Sequence, residues 1–347
     1  MGRIDDLREE LDRYFAAHEL SGMLRVTQRD RVLLRYQHGY ADRETGETFS
    51  EASRFKWYSV SKQLCAIGVM KLAEQGLFDF TAHPGKYVPE ARGFHPGVNF
   101  ARLLHHTSGI PDPYQTPEFR SSHRPSLERL RKDVRELTAY PQEFAPGTQE
   151  HYINAGFILA ALALENITGE DYGDFMEREV LAPLGMKNAC IDRDGRAVPD
   201  RVQGYSRDGE DGPVYPVQSP MAWMRGAGDV LGTVSDLYCL NRELRAPRLL
   251  RPESWQLILT PEPLNHKGLG CTLTSWHGRR RVTHNGGHLG FRSLHIQLPE
   301  EDFDLIFLSN AGYHNPGRAD VAEMVYRCFF EEDAAAEEGP DLDKGYV

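Results

Sequence analysis

The chain has 347 residues, 40% of them hydrophobic and 26% charged, with a formal net charge of −11. Those proportions belong to a folded protein with room for one large domain or two small ones. No apolar run approaches the length of a membrane span, and the acidic balance excludes nucleic acid or another polyanion as a natural partner.

Much of the negative charge gathers at the end. Residues 331–347 carry seven acids against Lys344, a net −6, and read as a disordered, solubilising tail. The opening Met-Gly-Arg-Ile-Asp-Asp has no apolar signal core, and Asp6 stands where a myristoylation signal needs Ser or Thr. A cytoplasmic location is therefore expected. Five scattered cysteines, without a Cys-x-x-Cys pair, suggest neither a disulfide framework nor a metal site.

In chain order, Ile4, Leu7, Leu11, Tyr14 and Phe15 form an apolar stripe at helical spacing. Residues 22–28 and 32–38 read as strands joined by the turn Arg29-Asp30-Arg31. From Ser59 the pattern becomes helical as far as Gly76, and further helices are expected over 100–105, 127–137, 155–167, 172–181 and 235–244. Strands return at 280–284, 293–298 and 304–308, and 319–330 is an amphipathic closing helix.

Strands at both ends around a helical middle imply an α+β fold. One antiparallel sheet would come from both chain ends (about 1–58 and 200–330), covered by the terminal helices. A mostly helical region, about 59–199, would be inserted between. The expectation is one catalytic domain over residues 1–330, with its site in the cleft between the two parts.

Acyl-transfer chemistry needs a nucleophile, a base and an oxyanion site. The Gly-x-Ser-x-Gly elbow is absent, but Ser-x-x-Lys occurs twice. Ser53 and Lys56 lie in an extended stretch, where residues three apart face opposite ways. Ser59 and Lys62 open a helix, where three apart means one face, and a helix N-terminus favours a developing oxyanion. A serine there can equally serve as a helix cap.

Tyr152-Ile-Asn154 precedes the helix at Ala155. A phenol can pass a proton to a leaving group, and an amide can hold a substrate carbonyl; capping by Asn154 and packing by Tyr152 would equally account for them. Three His-x-Gly triplets could give a substrate-facing strand edge. His95-Pro-Gly97 lacks a backbone donor at its proline, and His266-Lys-Gly268 lies in what reads as a loop. His284-Asn-Gly286 continues a strand pattern and is preferred. The pair His105-His106 diverges on a helix and reads as structural, not metal-binding.

Ser59-Val-Ser-Lys62, Tyr152-Ile-Asn154 and His284-Asn-Gly286 resemble the three ordered motifs of the serine β-lactamase and penicillin-binding-protein superfamily. The likeness is to the branch of class C β-lactamases, D-Ala-D-Ala carboxypeptidases, D-aminopeptidases and esterases. It extends through Leu103-Leu-His-His-Thr-Ser-Gly-Ile110, Phe144-Ala-Pro-Gly147, Pro183-Leu-Gly-Met186, Gly226-Ala-Gly-Asp229, Thr233-Val-Ser-Asp236 and Gly286-Gly-His-Leu-Gly-Phe291.

The resemblance implies that Ser59 forms an acyl-enzyme with Lys62 as its base, in need of a depressed pKa. Tyr152 would relay the proton and Asn154 would hold the acyl side. His284 would keep positive or hydrogen-bonding character near Tyr152. Asn285, Gly286 and Gly287 would line the substrate, the oxyanion hole being the N–H groups of Ser59 and Gly287. Neither metal nor organic cofactor is implied, and the partner is a small ester, amide or peptide.

The third motif starts with His284 where lysine is usual in β-lactamases, and Asn285 replaces a Thr or Ser hydroxyl. The resemblance gives the histidine variant to carboxypeptidases, aminopeptidases and esterases alike, while the lost hydroxyl and the absent signal core favour a cytoplasmic esterase or D-residue peptidase over a β-lactamase or DD-carboxypeptidase. An acyltransferase, or a catalytically silent relative that binds peptides, would carry the same motifs. The oligomeric state is left open.

Overall fold

The computed structural model describes residues 2–112, 126–209, 212–218, 220–313 and 317–330. The expected tail, 331–347, lies outside them. A six-stranded antiparallel sheet is the frame. Its strands are β1 (Gly22–Gln28), β2 (Arg31–His38), β3 (Thr272–Trp276), β4 (Arg279–His288), β5 (Phe291–Leu298) and β6 (Phe303–Ser309). They lie in the order β3-β4-β5-β6-β1-β2. The first and last parts of the chain meet where β1 pairs β6, from Gly22 opposite Ser309 to Gln28 opposite Phe303. The α+β architecture expected from the sequence is the one observed.

Alternation along the strands gives the sheet two apolar faces. One is covered by α1 (Arg3–Ala17) and the closing helix α5 (Gly317–Phe330), which bury Leu7, Leu11, Phe15, Val321 and Val325 against Leu294, Ile296, Leu305 and Phe307. The Phe15 ring meets Tyr36 and Phe307 edge-on, with centroids 5.2 and 5.7 Å away. Toward the other face lie α2 (Ser61–Glu74), α3 (Ala155–Thr168) and α4 (Val234–Arg245), in a second cluster with Trp57, Leu64, Phe157, Leu237, Ile306 and Leu308. Both α2 and α3 are buried nearly all round, α3 with an almost wholly apolar surface and α2 with Ser61, Lys62 and Gln63 buried in its first turn. Among the described residues no helix is long and apolar enough to cross a membrane.

Short strands outside the main sheet and a helix at Pro252–Ile258 lie outside the expectation, and three further elements differ from it. Edge strand β3 has no counterpart among the expected strands, since its Thr272-Leu-Thr-Ser-Trp276 follows a glycine-rich turn and is mostly half-exposed. The strand expected over 280–284 runs to His288 as β4, because register with β5 (Asn285 opposite Leu294, Gly287 opposite Arg292) carries Asn and Gly residues of poor strand propensity. Residues 172–181 form a short α-helix, Tyr172–Met176, that widens into a π-turn over Glu177–Leu181.

Phe15 ties the first helix to the sheet and is fully buried. Phe15→Ala should cost about 3–5 kcal/mol in urea denaturation. A loss below about 1 kcal/mol would mean that α1 is not part of the cooperative core.

Candidate active site

A short strand, Phe55–Lys56, pairs with Val230–Gly232 and delivers the chain to the site. Tyr58 then takes φ +46°, a left-handed conformation costly for an aromatic residue. It is held by burial and by its hydroxyl, which donates to the Leu289 carbonyl at 3.1 Å. A single 3₁₀ turn, Tyr58–Val60, carries Ser59 and leads into α2. Val60, not Ser59, occupies the N-cap of α2, and no side chain caps it. The Ser59 hydroxyl faces Lys62 one turn on.

Lys62 is fully buried, and its amine donates to Ser59 Oγ at 3.1 Å, Asn154 Oδ1 at 2.8 Å and the Ala227 carbonyl at 2.7 Å. Burial pulls its pKa down to about 7, against the opposing fields of Asp112, Cys65 and Asp229 and with help from Lys267. The amine is therefore divided between its two protonation states near neutral pH.

Tyr152 and Asn154 reach the same centre from the segment that leads into α3. Ile153, between them, points into the core and is fully buried. Tyr152 Oη donates to Ser59 Oγ at 2.8 Å. Asn154 sits at the N-cap of α3 without making a side-chain capping bond, its oxygen being engaged by Lys62. Its backbone N–H donates to the Asp112 carboxylate. Beneath Tyr152 the buried His106 ring stacks at 4.4 Å and accepts the Ile153 N–H at Nδ1, at 3.1 Å. Burial drives the pKa of His106 well down, so it is a neutral support.

Beyond Thr283, which pairs Thr272, the edge of β4 has no strand neighbour on that side among the described residues. This edge runs past the nucleophile. A Cβ at Gly286 would fall 2.3 Å from the Trp57 carbonyl and 3.0 Å from Ser59 N, so only glycine allows the approach. Ser293 on β5 donates to the same Trp57 carbonyl at 2.7 Å, and Arg318 from α5 donates to the Gly286 carbonyl at 2.9 Å. At Gly287 a Cβ would press on the Arg292 side chain at 3.0 Å.

His284 Nδ1 lies 2.6 Å from the Asn285 carbonyl and must donate to it. Burial, then Lys62, hold its pKa well below the usual range. Of the two characters expected of His284, positive charge is thus disfavoured and hydrogen bonding is left. Asn285 is buried on β4.

The structure therefore brings together Ser59, Lys62, Tyr152 and Asn154 by direct bonds, and sets the Gly286 edge against Ser59. Ser53 and Lys56 part, as expected: Ser53 Oγ accepts from Ser50 N–H, and Lys56 pairs with Asp192 at 3.4 Å. Asp112, His106, Lys267, Ser293 and Arg318 escape a reading of the site from sequence. His106 and Lys267 are in view there, but in stretches that read as structure and as loop.

A serine hydroxyl, a buried amine and a phenol thus converge beside a sheet edge, an arrangement that suits a serine hydrolase. The sequence model of the Beta-lactamase family matches residues 7–325, and the chain belongs to that family. Penicillin-binding protein 4* of Bacillus subtilis (strain 168) is 26% identical over 318 residues, 84% of this chain and 68% of that protein. The D-aminopeptidase of Gluconobacter oxydans (strain 621H) is 25% identical over 298 residues, 83% of this chain and 55% of its own length. The octameric penicillin-binding protein homologue from Pyrococcus abyssi has the same fold, with a TM-score of 0.84 at 21% identity over 98% of this chain and 80% of that one.

Because a side chain at Gly286 would meet the Trp57 carbonyl and force the β4 edge away from Ser59, Gly286→Ala should lower the acylation rate roughly 10²-fold and cost about 1–3 kcal/mol of stability. Wild-type acylation kinetics in that variant would contradict the close approach.

Proposed function

We propose that this protein hydrolyses the ester or amide bond of a small substrate through an acyl-Ser59 intermediate, as an esterase or D-residue peptidase or amidase. The observation that carries the reading is that one hydroxyl, Ser59 Oγ, bonds both a buried amine and a phenol. Neutral Lys62 takes the serine proton as Oγ attacks the carbonyl carbon, and the carbonyl π pair moves onto oxygen. The backbone N–H groups of Ser59 and Gly287 receive that oxyanion. As the tetrahedral centre collapses, the leaving group takes a proton from Tyr152 Oη, which recovers one from Lys62. Water then attacks the acyl-serine by the same route in reverse order.

Asn154 gives its oxygen to Lys62, so its NH₂ is the part suited to donate to a substrate carbonyl. Asn285, Gly286 and Gly287 form the strand along which the substrate lies. His284 offers a hydrogen-bonding nitrogen near Tyr152 in place of a charge. That neutrality, with the missing hydroxyl at position 285, supports an esterase or D-residue peptidase over a β-lactamase or DD-carboxypeptidase. The similarity to a D-aminopeptidase supports the same choice.

Pre-steady-state hydrolysis of a p-nitrophenyl ester should show a burst and an added acyl mass on the intact protein. Both should vanish in Ser59→Ala; turnover undiminished in that variant would end the acyl-serine reading. Paired D- and L-alanine p-nitroanilides then separate peptidase from esterase.

Acylation requires Lys62 uncharged, so its rate should rise with pH through about 7 and level off above. A rate independent of pH between 5 and 9 would remove Lys62 as the base.

A further inference from the structure

Lys267 belongs to the triplet His266-Lys267-Gly268, which the sequence assigns to a loop. A loop it is, with His266 at φ +57°, but one pinned at every backbone group of Lys267. The N–H donates to Asn265 Oδ1 at 3.0 Å. The carbonyl accepts the Glu262 N–H at 2.9 Å and His105 Nδ1 at 2.9 Å. Asn265 Nδ2 in turn donates to the His105 carbonyl at 2.7 Å. Backbone held this tightly delivers its side chain to one place.

That place is beside the nucleophile. Lys267 Nζ lies 5.7 Å from the Tyr152 ring centroid, and Lys62 Nζ lies 5.0 Å from the same point. The two amines are therefore no more than about 11 Å apart. Lys267 also pairs with Glu150 at 3.3 Å, yet its side chain is 14% exposed against 37% for Glu150. Water screens the glutamate more than the lysine, so the pair does not cancel inside the site.

We propose that Lys267 is a positioning residue of this active site, whose fixed positive charge opposes a second one on Lys62 and so keeps the general base ready to accept the serine proton. The inference rests on the acyl-Ser59 reading above. Around Lys62 the other titratable groups are Asp112, Asp229 and Cys65, which favour its charged form, together with Tyr152 and the neutral His106 and His284. Around Lys267 stand Glu150, Tyr152 and His105. The field of Lys267 disfavours the charged forms of Lys62, His106 and His284 alike. One cation thus acts on three groups of the site, and on each it opposes protonation.

The test is the pH dependence of the second-order rate at which a fluorophosphonate probe labels Ser59, at low salt. Lys267→Met and Lys267→Gln should move the rising limb up by roughly one pH unit, the size of a Coulomb interaction over that span at an effective dielectric near 20. Below the limb the rate should fall about tenfold, with the high-pH plateau kept. Lys267→Arg should retain the wild-type limb. The double variant Lys267→Met with Glu150→Gln should keep the upward shift, because the cation is still missing.

Superimposed wild-type and Lys267→Met profiles would overturn the inference. So would a double variant restored to wild type, since the effect would then belong to an orphaned Glu150 carboxylate. Absence of Ser59 labelling in the wild type would overturn the acyl-Ser59 reading and this inference with it, whereas labelling with an unmoved limb would overturn this inference alone.

Discussion

Lysine amines are seldom stripped of water, and the one at position 62 survives burial because three separate stretches of chain supply its acceptors. Ser59 comes from the turn opening α2, Asn154 from the start of α3, and Ala227 from the loop behind them. None is a carboxylate, so the amine is solvated without being locked into its charged form. The same three bonds fix the separation of α2, α3 and the loop. Gly226, at φ +72°, turns that loop so that the Ala227 carbonyl faces the amine.

Several groups around this amine are pushed toward their neutral forms. His106 supports Tyr152 from below, and His284 bonds its own strand, both with their charged forms driven out by burial. Asp229, also fully buried, is pushed up to about 7 by desolvation. A low-dielectric pocket in which few groups carry full charge leaves its electrostatic response to the charges that reaction creates, the serine alkoxide and the oxyanion.

Much of this was legible in the sequence because the relevant periodicities are short. Ser59 and Lys62 share a helical face three residues apart, and Tyr152 and Asn154 stand together just ahead of a helix start. Each relation needs only local geometry. The antiparallel sheet drawn from both chain ends followed from strand patterns at 22–38 and 280–308. What the sequence concealed depends on contacts made across long separations. Lys267 sits in an irregular loop whose direction is set by His105, far upstream, and Asp112 meets the site through the Asn154 amide. The far half of β4 has residues ill-suited to a strand and is held extended by β5 and by Arg318.

The pairing of β1 with β6 joins Gly22 to Ser309, so the sheet closes across most of the described residues. On a ribosome, the segments bearing Ser59, Lys62 and Tyr152 emerge long before the strand whose edge runs past them. The apolar faces of α2 and α3 must then wait for partners that have not yet been made. A nascent chain at that stage holds Ser59 and Lys62 but not yet the β4 edge that lies against Ser59. Assembly of the site is thereby withheld until that strand has been made.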